Sequence, residues 1–137
     1  MMYITRRERF SAAHRQCNPN LSETENLQLF GQCSSINFHG HNYELFVTIK
    51  GFIDPVSSYV MDIKLLSKII KEEIIDLVDH KNLNIDVDFL KNINPTSENL
   101  VLHFWKKLEA SINKYNCKLH CIRLVETENN YVEYFGE

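Results

Sequence analysis

His39-Gly40-His41-Asn42-Tyr43-Glu44-Leu45-Phe46-Val47-Thr48-Ile49-Lys50-Gly51 is the stretch that decides how this chain folds. From His41 to Ile53 apolar and polar residues alternate. Tyr43, Leu45, Val47 and Ile49 share one parity, opposite Glu44, Thr48 and Lys50. A period of two marks a half-buried strand. Gly51 and Asp54-Pro55 end it. Upstream, Tyr3 to His14 accepts a strand reading, with Ile4, Phe10 and Ala12 on one parity. Residues 15–38 are polar and carry turn formers (Asn18-Pro19-Asn20, Gly31, Ser34-Ser35), which predicts a long loop. Loops beyond about 15 residues are uncommon unless functional.

Downstream the period changes from two to that of a helix. Asp62 suits an N-cap for a helix to about Asp79, with Leu66, Ile69, Ile70, Ile74, Leu77 and Val78 as its apolar stripe. Residues 80–95 form another polar connection. Thr96, after Pro95, suits the cap of a second helix, with Glu98 in the first turn. Its apolar face is Leu100, Val101, Phe104, Trp105, Leu108 and Ile112. Lys118–Thr127 and Asn130–Phe135 read as a hairpin around Glu128-Asn129-Asn130. The order β-β-α-α-β-β predicts a single α+β domain over residues 1–137: a four-stranded antiparallel sheet with two helices on one face. Such a sheet leaves open edges, which predicts pairing between subunits.

The chain has 137 residues, enough for one domain and for a core that needs no disulfide staple. With 15 Lys and Arg against 18 Asp and Glu, its net charge of −3 argues against nucleic-acid binding. No run of about 18 apolar residues suggests a membrane span. Met1-Met2-Tyr3-Ile4-Thr5-Arg6-Arg7-Glu8 does not read as an export signal. Cys17, Cys33, Cys117 and Cys121 form no C-x-x-C pair. We therefore expect reduced thiols and a cytoplasmic location, with Cys117 and Cys121 as small core residues.

His39-Gly40-His41 is the sharpest chemical signal. Residues i and i+2 of a strand point the same way, so two imidazoles converge. Gly40 between them allows close backbone approach. His14 can supply a third ligand if the two strands pair, and three imidazoles with one open position suit a catalytic zinc. Cys33 lies six residues before His39. It reads as a base or nucleophile activated near a cation, as a fourth ligand of a closed site, or as a buried structural thiol. Asp79-His80 ends the first helix. The pair can support proton transfer, or His80 can simply complement the helix dipole. Glu126, at a strand end, can accept two hydrogen bonds from a planar amino heterocycle, or face solvent. His103 and His120 read as structural.

Several motifs in order resemble the tetrahydropterin synthase family, both its 6-pyruvoyl and its 6-carboxy branch. They are Phe10-Ser11-Ala12-Ala13-His14-Arg15, Leu27-Gln28-Leu29-Phe30-Gly31-Gln32-Cys33, His39-Gly40-His41-Asn42-Tyr43-Glu44, Ile53-Asp54-Pro55, Leu77-Val78-Asp79-His80-Lys81-Asn82-Leu83-Asn84, Pro95-Thr96-Ser97-Glu98-Asn99 and Val125-Glu126-Thr127-Glu128-Asn129-Asn130. The resemblance covers about residues 6–137. It implies the tunnelling fold, whose subunits join sheets into a barrel, and a homohexamer of two trimers with active sites between subunits. It implies Zn2+ held by His14, His39 and His41. It also implies proton transfer by Cys33, Asp79 and His80, and a pterin anchor at Glu126 with Thr96 and Ser97.

The implied reaction is a lyase step on 7,8-dihydroneopterin triphosphate that gives 6-pyruvoyl-tetrahydropterin and releases triphosphate, with Arg15 and Lys81 as phosphate partners. The rival within the family is 6-carboxytetrahydropterin synthase, which also releases acetaldehyde on the way to queuosine-type bases. The five residues between Cys33 and His39 favour the pyruvoyl branch, whereas Asn94-Pro95-Thr96-Ser97-Glu98 is nearer the carboxy branch. Outside catalysis stands a zinc-stapled pterin-binding module. The chain departs from the family at Gln32, where Lys is frequent, and at Gln16-Cys17, where an apolar residue is common. The first removes a charge beside Cys33, and the second makes Cys17 a stray thiol.

Overall fold

Two long strands carry the alternation just described. A computed structural model describes all 137 residues, Met1–Glu137. Strand β1 (Met2–His14) and strand β2 (His39–Gly51) pair antiparallel along their whole length, from Met2 opposite Gly51 to His14 opposite His39. Tyr43, Leu45, Val47 and Ile49 are fully buried, so the face assigned from the period of two is the core face. Gly51 is required where β2 ends: a Cβ there would lie 2.8 Å from Val60 Cγ1 and 3.1 Å from the Asn116 carbonyl.

The connection from β1 to β2 is not a plain loop. It holds helix α1 (Glu23–Phe30) and a 3-10 turn at Gly31–Ser34. Ser22 caps α1, and Glu25 returns the bond to the Ser22 backbone. Only Asn26 of α1 is buried. It pins the loop by accepting from Asn18 N–H at 2.8 Å and donating to the Asn18 carbonyl at 3.0 Å. A helix without an apolar stripe gives no periodic signal.

Asp62 caps α2 (Ile63–Ile70) as expected, its carboxylate accepting from Lys64 N–H. The helical run continues through a π-helical turn at Lys71–Ile75 into α3 (Asp76–Val78). The widened turn rotates the stripe. Ile74, Ile75 and Val78 are buried, while Leu77 is 39% exposed. Helix α4 (Ser97–Asn113) buries all six apolar residues assigned to it. Phe104 meets Phe10 of β1 edge-on at 6.0 Å. Both long helices share one core with the buried faces of β1, β2 and the later strand Cys117–Thr127.

Strand β4 (Cys117–Thr127) flanks β2 antiparallel, and β5 (Asn130–Tyr134) returns along β4 through the expected turn. The sheet differs from the expectation in one respect. It has five strands, order β3-β1-β2-β4-β5, and is mixed rather than purely antiparallel. The extra strand β3 (Lys81–Asn82) pairs parallel with Ala12 and Ala13. Two residues are too short for any periodic signature; flanking backbone bonds hold them on β1, from His80 N–H to the Ser11 carbonyl at 2.7 Å and from Leu83 N–H to the Ala13 carbonyl at 2.8 Å. No helix is long and apolar enough to cross a membrane.

Candidate metal centre and pterin site

The register of β1 on β2 builds the centre. His14 lies opposite His39, and Ala12 opposite His41, so all three imidazoles project from one side of the sheet. Ring centroids are 4.6 Å apart for His14–His39, 5.1 Å for His14–His41 and 5.0 Å for His39–His41. One potential ligand atom from each lies within 4.8 Å of the others. Gly40 points the other way, where a Cβ would press to 3.1 Å on the Ala12 carbonyl oxygen.

Their polar atoms fit a cation. His14 is fully buried and its Nδ1 lies 2.8 Å from the Pro95 carbonyl oxygen. A carbonyl only accepts, so Nδ1 carries the proton and Nε2 keeps its lone pair. His39 Nδ1 and His41 Nε2 are buried without any hydrogen-bond partner. Such orphans are rare in folded proteins, and a bound cation would satisfy both. Burial pushes the pKa of His14 and of His41 down, against partial compensation from the Pro95 carbonyl for His14 and from Glu126 for His41. Neutral imidazole is the form that binds metal. The Tyr43 hydroxyl lies 3.4 Å from both ring nitrogens of His14. Burial first, then the Glu126 charge, pushes its pKa far above the usual phenol value.

A cavity of about 340 Å3 opens beside the imidazoles, lined by Gln32, Cys33, Ser35, Phe38, His39, His41 and Glu126. Cys33 is half-buried in the 3-10 turn, and its carbonyl accepts from Gln16 N–H at 2.7 Å. The converging ligand set is the three imidazoles, with Cys33 at the cavity wall. Glu126 reaches the same cavity from β4. Its Oε2 accepts from Ser97 Oγ at 2.8 Å, and its Oε1 lies 3.8 Å from His41 Nε2. Thr96 uses its hydroxyl to cap α4, accepting from Asn99 N–H.

Asp79 and His80 stand elsewhere. Asp79 Oδ1 accepts from Ser11 N–H at 2.9 Å and lies 3.0 Å from His80 Nδ1. The Ser11 bond is the main cause that holds its carboxyl below the usual range. His80 is 83% exposed and adopts a left-handed backbone, φ 60°, which is uncommon outside glycine. Asp79 lines a separate cavity of about 410 Å3 with Arg9, Phe10, Ser11, Asn42, Tyr43 and Glu44. A single chain therefore does not bring this pair into the cavity that Cys33 lines. Arg15 is engaged locally, its guanidinium 3.0 Å from Glu23 Oε2, and Lys81 is exposed. The roles of the Pro95 carbonyl and Tyr43 had no signal in the sequence, because each depends on a contact between distant segments.

Comparison with known proteins agrees with this geometry. A family model described as 6-pyruvoyl tetrahydropterin synthase matches residues 3–137. The chain is 45% identical to the 6-pyruvoyl tetrahydrobiopterin synthase of Dictyostelium discoideum, over 98% of this chain and 96% of that protein. It is 42% identical to the protein of the same name from Pongo abelii, over 98% of this chain and 91% of that one. The solved structure of Caenorhabditis elegans 6-pyruvoyl tetrahydropterin synthase superposes with a TM-score of 0.91 at 38% identity, covering 99% of this chain and 96% of that one. With its three converging imidazoles and this likeness over almost its whole length, the chain belongs to the 6-pyruvoyl tetrahydropterin synthase family.

Proposed function

We propose that the protein is a zinc-dependent lyase that converts 7,8-dihydroneopterin triphosphate to 6-pyruvoyl-tetrahydropterin and releases triphosphate. The observation that carries this reading is one cavity shared by Cys33, Glu126 and two half-buried imidazoles, each with a buried, unpartnered nitrogen. His14, His39 and His41 would hold the ion. Bound there, zinc supplies Lewis acidity toward the side-chain hydroxyls of the substrate.

Glu126 anchors the pterin by accepting from its amino group and adjacent ring N–H, while Ser97 holds the carboxylate in place. Thr96 completes that corner by starting α4 beside Ser97. Cys33, as thiolate, removes a carbon-bound proton. His80, oriented by Asp79, relays protons. Because Asp79 and His80 lie apart from Cys33 within one chain, this role needs a neighbouring copy, as in a hexamer whose sites form between subunits. Arg15 and Lys81 are candidates for the triphosphate, although Arg15 would have to leave Glu23. The relatives named above are called pyruvoyl-type synthases, which favours that product over the carboxy alternative.

Replacing Cys33 by Ala and counting zinc tests the reading. A catalytic thiol predicts full zinc retention with turnover lost. Joint loss of zinc and fold would instead mark a closed structural site with Cys33 as a fourth ligand, and a binding module rather than an enzyme.

A further inference from the structure

We infer that Asn94 is a positioning residue for the metal centre: it clamps the segment before α4 onto the chain just after β1, so that the Pro95 carbonyl meets His14. The inference rests on the reading of His14, His39 and His41 as metal ligands. The His14 imidazole takes its tautomer and direction from Pro95 O, at 2.8 Å. That carbonyl belongs to an irregular segment between a 3-10 turn ending at Leu90 and helix α4. Pro95 has no N–H with which to tie the segment down.

Asn94 provides the ties. Its Oδ1 accepts from Cys17 N–H at 3.0 Å, three residues beyond His14. Its carbonyl accepts from Asn99 Nδ2 at 2.9 Å, in the first turn of α4. Pro95 is thus held between a bond to the β1 side and a bond to the α4 side. A Cys17 side chain is not needed for this, since only its backbone N–H takes part. Removing a group that orients a metal-bound histidine through its second nitrogen typically costs about 10–100-fold in metal affinity or activity. Asn94 acts one step further out, on the group that does the orienting.

The test is Zn2+ affinity by chelator competition, with the visible spectrum of the Co2+-substituted protein as a second readout. Asn94→Ala, which removes the accepting oxygen, is expected to weaken Zn2+ binding about tenfold and to alter the Co2+ spectrum. Asn94→Asp keeps an oxygen in the same place and is expected to retain wild-type affinity and spectrum. If Asn94→Ala does not fold, Asn94→Ser carries the same expectation, because its hydroxyl falls a bond short of Cys17 N–H. Wild-type affinity in the shortened variant overturns the inference, as does an Asp variant as weak as the Ala one. A wild-type protein that binds no Zn2+ overturns the metal reading as well, which separates the two failures.

Discussion

Glu126 sits between the serine that holds it and the histidine centre, and its two oxygens face different partners. An amide in its place would turn a donor toward a pterin N–H. Hydrogen bonds to a charged acceptor contribute about 1.5–3 kcal/mol each. Glu126→Gln should weaken substrate binding by at least about 1.4 kcal/mol, roughly tenfold, with zinc retained. Exposed Glu128 is the control, and isothermal titration of both variants checks it. His39→Ala or His41→Ala should each lose most bound zinc and all turnover, because one face of β2 supplies both nitrogens; metal analysis near one zinc per chain would contradict that. His39 and His41 are legible in the sequence, since an H-x-H on a strand needs only the period of two. Ser97 was legible as a neighbour of the site, but its bond to Glu126 spans 29 positions and has no local signature.

Helix α2 and its continuation show why an apolar pattern can be right in kind and wrong at one residue. Ideal spacing puts Leu77 on the stripe, whereas the π-helical turn hands that place to Ile75. Ile74→Ala should therefore cost about 2–5 kcal/mol, and Leu77→Ala much less, by urea unfolding. The same helix holds a buried carboxylate of β1. Burial alone would raise the pKa of Glu8, but hydrogen bonds from Ser67 and Arg6, with the charges of Arg6 and Lys71, bring it below its usual 4.5. In that window the unfolded chain binds more protons than the folded one, so stability rises with pH. The contribution is complete above pH 4.5 and is lost as pH falls through the lowered folded value. Melting temperatures followed downward from pH 5 should drop more steeply for the wild type than for Glu8→Gln. Helix α1 escaped the reading because its signal was a capping box at Ser22 and Glu25 without an apolar face.

At the scale of the whole molecule, β3 and β5 leave the sheet with two edges, and Asp79–His80 stand exposed beside β1, away from the cavity of Cys33. The α+β architecture was readable from element order. The convergence of His39 and His41 was readable from their spacing, but the separation of Asp79–His80 from the Cys33 cavity was not, because it depends on contacts between distant segments. The proposed hexamer would join both facts, and mixing Cys33→Ala with His80→Ala protein under exchange conditions should then restore part of the activity that each lacks alone. Light scattering that finds only monomers at micromolar concentration would contradict it. The most direct measurement is incubation of the zinc-loaded protein with 7,8-dihydroneopterin triphosphate, followed by mass analysis. Release of triphosphate with 6-pyruvoyl-tetrahydropterin and no acetaldehyde is the expected result. Unchanged substrate, or acetaldehyde with a carboxylated pterin, would contradict the assignment.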